Sequence, residues 1–219
     1  MKISINLAGW LLCQGLVLSA VGTADAKTAA ICPGPSVDRK SHVSLADGKP
    51  NPDMHPPSSS CHTQIKNGYP VPDASCTPGA ANATLTTDVL HAPGFSTDCM
   101  RDKATTGDDK DNTYDWYGIT KPSNNQGVYQ ICELDHLVSL ELGGADTLEN
   151  IWPQCGPDAV TLNRRYFKIK DQVEDYLAMR VRACHMELHD AQTAIAADWT
   201  QFLSKAQAAC RGTSCKPDC

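Results

Sequence analysis

The chain has 219 residues, 41% of them hydrophobic and 20% charged, with a formal net charge of −6. That length suits one globular domain plus tails, and the apolar content excludes a disordered chain. The negative balance runs against the broadly basic surface usual in nucleic-acid binders.

Residues 1–26 read as a signal peptide: Lys2 opens it, an apolar run reaches Val21, and Ala24-Asp25-Ala26 supplies the small-x-small cleavage pattern. A lipoprotein anchor at Cys13 fits less well, because Trp10-Leu11-Leu12 lacks the small residue needed before the cysteine. The run is too short for a stable span, so the expected mature protein is secreted or periplasmic, with no membrane partner. Of eleven cysteines, ten remain after Cys13 is removed: Cys32, Cys61, Cys76, Cys99, Cys132, Cys155, Cys184, Cys210, Cys215 and Cys219. An even, scattered set without paired C-x-x-C spacings favours disulfides over structural zinc. Connectivity and oligomeric state are left open.

Residues 27–75, rich in Pro and Ser, predict an extended, loop-rich arm pinned by Cys32 and Cys61 and lacking a core of its own. A domain at 76–219 with a Cys-rich tail follows. From Cys76 to about Ile131, the turn signal CTPGAANAT, the charged tip RDKATTGDDKDN and the cluster Tyr114, Trp116 and Tyr117 predict loops with short strands or a helical turn.

The most informative stretch is ICELDHLVSLELGGADTLENIWPQ, residues 131–154. Leu134, His136, Val138, Leu140 and Leu142 share one parity, which predicts a strand with His136 on its apolar side. Gly143-Gly144 forces a turn, and Asn150 to Gln154 starts a second strand that Pro153 confines to an edge. Leu162, Tyr166, Ile169, Val173, Leu177 and Val181 then form an apolar stripe on a helix over 161–184. Asn163, Lys170 and Glu174 fall within roughly 40° of one another on a polar line beside it. A last helix near 190–206 carries Ala191, Ile195, Trp199, Phe202 and Leu203 on one face, with Asp190 as its N-cap.

A histidine on an apolar strand face is more often a satisfied core residue than a catalyst. Its neighbours shift that balance. Phosphodiester hydrolysis needs a base for water, a cation to offset charge, and a group that holds the imidazole in one tautomer. Asp135-His136 offers ligand and base, and Asn150 can return to accept the ring N–H. On a regular strand Asp135 and His136 point to opposite faces, so a shared site requires the strand to end or bulge at this pair.

The pattern E-x-D-H-L-V-S-L-E-L-G-G at 133–144, E-N-I-W-P-Q at 149–154, K-D-x-x-E at Lys170, Asp171 and Glu174, and A-I-A-A-D-W at 194–199 resembles secreted bacterial HNH-type endonucleases of the His-Me finger (ββα-metal) superfamily. The similarity runs from about Cys76 to Trp199. It implies an α+β fold: a small ββα-metal core with an additional C-terminal helix and a loop-rich, disulfide-braced N-terminal region. It also implies a metal-dependent endonuclease of weak sequence preference acting on DNA, and on RNA since the base needs no 2′-hydroxyl. The roles carried over are His136 as general base, Asp135 as metal ligand and Asn150 as the residue orienting the imidazole. One divalent cation is expected, Mg²⁺ first, with Mn²⁺, Ca²⁺ and Zn²⁺ left open.

The chain departs from that pattern in one respect. The last histidine of the HNH motif has no counterpart, since no His lies between His136 and His185. Asn163 is the expected substitute ligand, with Glu133, Lys170 and Glu174 as phosphate-binding or supporting residues. His185 and His189 at i and i+4 raise a zinc reading, but the glutamate is one place off H-E-x-x-H, so they are expected at the surface. A basic strip of Arg164, Arg165, Lys168, Lys170, Arg180 and Arg182 is expected to hold a phosphate backbone. The competing readings are a non-catalytic, disulfide-rich secreted binding or effector protein, and a structural zinc protein.

Overall fold

The computed structural model describes residues 37–49, 60–211 and 214–215. The expected signal peptide, Cys32, Cys219 and the middle of the Pro/Ser-rich arm lie outside them. The fold is mixed α+β, and the four sheets among the described residues are two-stranded antiparallel pairs.

The arm is tied into the domain by main-chain pairing. β1 (His42–Ser44) runs antiparallel to β4 (Ala80–Asn82). β2 (Gln64–Lys66) and β3 (Tyr69–Val71) form a hairpin through Asn67-Gly68, both at positive φ, the conformation that Asn-Gly turns supply. The Cys61–Cys76 disulfide closes this region, and Trp199 Nε1 donates to the Pro70 carbonyl at 3.2 Å. The arm therefore packs on the domain's core through its described part.

The charged tip forms a helix. After α1 (Thr87–His91), α2 (Gly107–Trp116) begins at a capping box in which Thr106 accepts from Asp109 N and Asp109 accepts from Thr106 N. Reciprocal satisfaction of two orphan donors starts a helix even where the segment is strongly polar. Buried Tyr114 and Tyr117 anchor its end, Tyr117 packing on Trp152 at 6.3 Å between ring centroids.

β5 (Cys132–His136) pairs with β6 (Ile151–Cys155) in full register from Cys132 opposite Cys155 to His136 opposite Ile151. A disulfide joins that outermost pair. Cross-linking a loop of this size contributes about 3–4 kcal/mol by restricting the unfolded chain. Pro153 is tolerated because β6 has a neighbour on one side only.

α3 (Tyr166–Arg182) follows a single 3₁₀ turn at Leu162–Arg164, so the regular helix starts later than its periodicity predicts. Its inner face is Phe167, Lys170, Val173, Leu177 and Val181. Tyr166 and Ile169 are only half-buried, and Lys170, expected on the polar line, is completely buried. The expected last helix is two: α4 (Leu188–Asp198) and α5 (Leu203–Ala209), joined by a 3₁₀ turn at Trp199–Phe202. Asp198 causes the break by accepting from Thr200 N at 3.0 Å. Glu187 stands at the N-cap of α4, and Asp190 is exposed in its first turn. β7 (Cys210–Arg211) and β8 (Ser214–Cys215) close the described chain.

Cys99 and Cys210 are also disulfide-bonded, whereas Cys184 is a free, exposed thiol, so pairing does not take in every described cysteine. The disulfides point to an oxidising compartment. No described helix is long and apolar enough to cross a membrane.

Candidate active site

The site is built on the segment between β5 and β6. β5 ends at His136 without a bulge, but the end does not bring Asp135 and His136 to one face. The chain then folds into a closed loop whose Leu137, Val138, Leu140 and Leu142 are buried. Gly143 adopts φ +73°, and a Cβ on Gly144 would stand 1.8 Å from the Val138 carbonyl oxygen, so the glycine pair is a steric requirement. Asn150 holds the loop shut. Its Oδ1 accepts from Val138 N at 2.9 Å and Ala80 N at 3.4 Å, while its Nδ2 donates to the Val138 and Ala145 carbonyls at 2.9 Å each.

Those bonds correct the role expected for Asn150. Its amide is fully buried and committed to main chain, and it does not reach the imidazole. The imidazole's partner is Asp146, whose Oδ1 lies 2.8 Å from His136 Nε2. Lys110, on α2, places Nζ 2.7 Å from the same oxygen, and Asp102 N donates to Oδ2 at 3.0 Å. Burial acts to raise the Asp146 carboxyl, but the bonds from His136 and Lys110 outweigh it and hold the pKa below the ordinary value. An ionised carboxylate can only accept, so Nε2 carries the hydrogen and the neutral ring keeps its lone pair on Nδ1.

His136 keeps 11% of its side chain exposed. Nδ1 has no partner among the described residues, and it is not one of the buried atoms left unpaired. Burial lowers the imidazole pKa, with Asp146 acting in the opposite direction. The arrangement is a neutral imidazole, fixed in one tautomer by a buried carboxylate, with its basic nitrogen free of a partner among the described residues. Such a pair can take a proton from water or a hydroxyl.

Asp135 faces the other way. Its side chain is 4% exposed and accepts from Trp152 Nε1 at 3.1 Å and from Lys170 Nζ at 2.9 Å. Lys170 also donates to the His136 carbonyl at 2.8 Å and to Glu174 Oε1. The strand end thus leaves the two side chains on opposite faces, Asp135 against α3 and His136 toward Asp146 and α2. Burial disfavours the Lys170 ammonium, yet Asp135 and Glu174 outweigh it and raise its pKa above the ordinary lysine value. Burial and repulsion among the acids act to raise Glu174, with the Lys170 ammonium acting against them, and push Glu133 up to about 7.

Asn163 is exposed on the turn before α3, where its Oδ1 accepts from Thr161 Oγ1 at 2.6 Å. It lines a cleft of about 570 Å³ with Glu141, Lys168, Asp171, Glu174 and Asp175, and Asp135 is not among the lining residues. Asp135 and Asn163 are therefore not brought together as a ligand pair. Among the described residues no three His, Cys, Asp or Glu side chains converge in a metal-holding group. Full burial also removes Lys170 from contact with a phosphate and makes it a supporting residue. The expected basic strip is interrupted for related reasons: Arg165 is buried, and Lys168 pairs with Asp171 at 2.6 Å. His185 and His189 are exposed, as expected.

Sequence reasoning missed Asp146 and Lys110. Asp146 follows Gly143-Gly144-Ala145, and a carboxylate just past a glycine turn that reverses toward a histidine was the available signal. Lys110 sat inside the segment read as a charged tip. Comparison of the chain with protein-family models, curated proteins and solved structures finds no match.

Proposed function

We propose that the chain is an exported endonuclease that hydrolyses phosphodiester bonds of DNA, and of RNA by the same chemistry, with His136 as general base. The observation that carries this reading is the 2.8 Å contact between His136 Nε2 and Asp146, which leaves Nδ1 as the acceptor. The order β5, β6, α3 and the resemblance of residues 133–154 to HNH-type endonucleases of the His-Me finger superfamily support it. In the proposed step Nδ1 removes a proton from water, and the resulting hydroxide attacks phosphorus in line. The bond to the leaving oxygen then breaks, and that oxygen takes a proton from solvent. Asp146 stabilises the imidazolium that forms. Lys110, whose Nζ lies 2.7 Å from Asp146 Oδ1, is the candidate to offset phosphate charge.

In such reactions a divalent cation offsets charge on the phosphate and leaving oxygen. Asp135 and Asn163, the residues expected to hold it, do not meet, so no step is assigned to a metal here. Nothing in the site reads bases, which fits weak sequence preference. The test is digestion of plasmid DNA and of RNA by wild type and His136→Ala, each with Mg²⁺ and with chelator. Cleavage by wild type and its loss in the variant support the reading. Intact substrates under every condition would favour the non-catalytic binding or effector protein.

A further inference from the structure

Asp135, one of the two residues expected to bind a divalent ion, already holds a cation supplied by the chain itself. Lys170 Nζ lies 2.9 Å from Asp135 Oδ2 and 2.8 Å from the His136 carbonyl oxygen, and it bonds Glu174 Oε1. An ammonium has three hydrogens to donate, and these three oxygens account for all of them. Two carboxylates and a main-chain carbonyl are also the donors that a hard divalent cation selects. The lysine side chain is 0% exposed, with Asp135 at 4% and Glu174 at 17%.

We infer that Lys170 is the resident cation of this site: its ammonium occupies, among Asp135, Glu174 and the His136 carbonyl, the place of a divalent metal ion. A metal bound to Asp135 would have to displace the ammonium or stand beside it. Displacement strands a positive charge in the interior, because the Lys170 side chain is 0% exposed. Coexistence sets two cations on one carboxylate, the ammonium at 2.9 Å and a metal ion at about 2.0–2.6 Å, where they repel each other. Lys170 is therefore a positioning residue. Through the carbonyl of His136 it fixes the end of β5, and through Asp135 it ties that strand to α3. The inference rests on the proposed hydrolase reading only for what the site does; occupancy is measured without substrate.

The test uses the full mature chain, freed of metal by chelator and titrated with Mn²⁺, following free Mn²⁺ by electron paramagnetic resonance and the thermal unfolding midpoint. Wild type is expected to bind no stoichiometric Mn²⁺ and to keep its midpoint. Lys170→Ala opens the carboxylate pair, so its midpoint falls and Mn²⁺ raises it saturably. Adding Glu174→Gln to that variant removes the response. One Mn²⁺ bound per wild-type chain and lost in Asp135→Asn would overturn the inference, and this arm needs no Lys170 variant to fold. Absence of nuclease activity in every sample would sink the hydrolase reading while leaving the occupancy result intact.

Discussion

Replacing Asp146 by Asn tests the dyad with the smallest change of shape. In the native protein Oδ1 accepts from both His136 Nε2 at 2.8 Å and Lys110 Nζ at 2.7 Å, and Oδ2 accepts from Asp102 N at 3.0 Å. An amide has one acceptor oxygen where the carboxylate had two. If its NH₂ faces the ring, the hydrogen on the imidazole moves to Nδ1 and the lone pair is turned away from substrate. If its oxygen faces the ring, the NH₂ meets Asp102 N, donor against donor. Both outcomes also leave the Lys110 ammonium without its anion at a site 16% exposed. Loss of the correct tautomer costs about 10²–10⁴-fold in turnover. The unpaired groups cost about 1–3 kcal/mol of stability. The assay is kcat and KM on a short duplex, paired with ¹⁵N spectra of the imidazole and urea unfolding. A variant that folds, keeps wild-type kcat and retains hydrogen on Nε2 would refute the assignment of Asp146.

Three further outcomes are expected. Because burial lowers the His136 pKa, the rate should fall on the acid side with a midpoint below about 6.5, and a midpoint above that value contradicts the assigned base. By the same sign, the stability tied to neutral His136 is present above about pH 6.5 and is lost as pH falls toward the lower folded value. Glu149 is 4% exposed, with Oε2 unpaired and its carboxyl raised to about 7 by burial and then by Asp47. A raised carboxyl costs stability as pH climbs from its unfolded value through the folded one. Glu149→Gln should therefore stabilise by about 2 kcal/mol at pH 8 and by nothing at pH 4, read from urea midpoints. Asn150→Ala orphans main-chain groups at Val138, Ala145 and Ala80, and should lower stability by about 2–4 kcal/mol in differential scanning calorimetry. Wild-type stability in that variant would contradict the role of Asn150 as the clasp of the loop.

Patterns of local origin were legible in the sequence. The β5 and β6 segments, the glycine turn and α3 follow from alternation, Gly-Gly and the 3.6-residue period, and each lies close to its expected position. What failed was the assignment of polar side chains to partners, because those contacts depend on long-range packing. Leu134 is half-buried while Asp135 is buried, the reverse of the parity argument, because Lys170 reaches across from α3 to neutralise the acid. Periodicity puts Lys170 on a polar line beside the apolar stripe, since it takes no account of an ion pair that makes burial of an ammonium tolerable. α2 was missed through its charge content, although Thr106 and Asp109 carry the spacing of a capping box. Asn150 is a key residue of the loop, but its partners are main-chain groups and not the imidazole. A side chain with both donor and acceptor suits a main-chain clasp, and a carboxylate suits an imidazole.

The central claim, that His136 Nδ1 is the base, is met most directly by chemical rescue of His136→Ala. The variant is assayed on a duplex substrate with increasing imidazole at pH 7.5. The rate is expected to be reduced by about 10²–10⁴-fold and to rise with imidazole concentration, since the added base supplies the missing lone pair. Cleavage by His136→Ala at the wild-type rate, without imidazole, would contradict it.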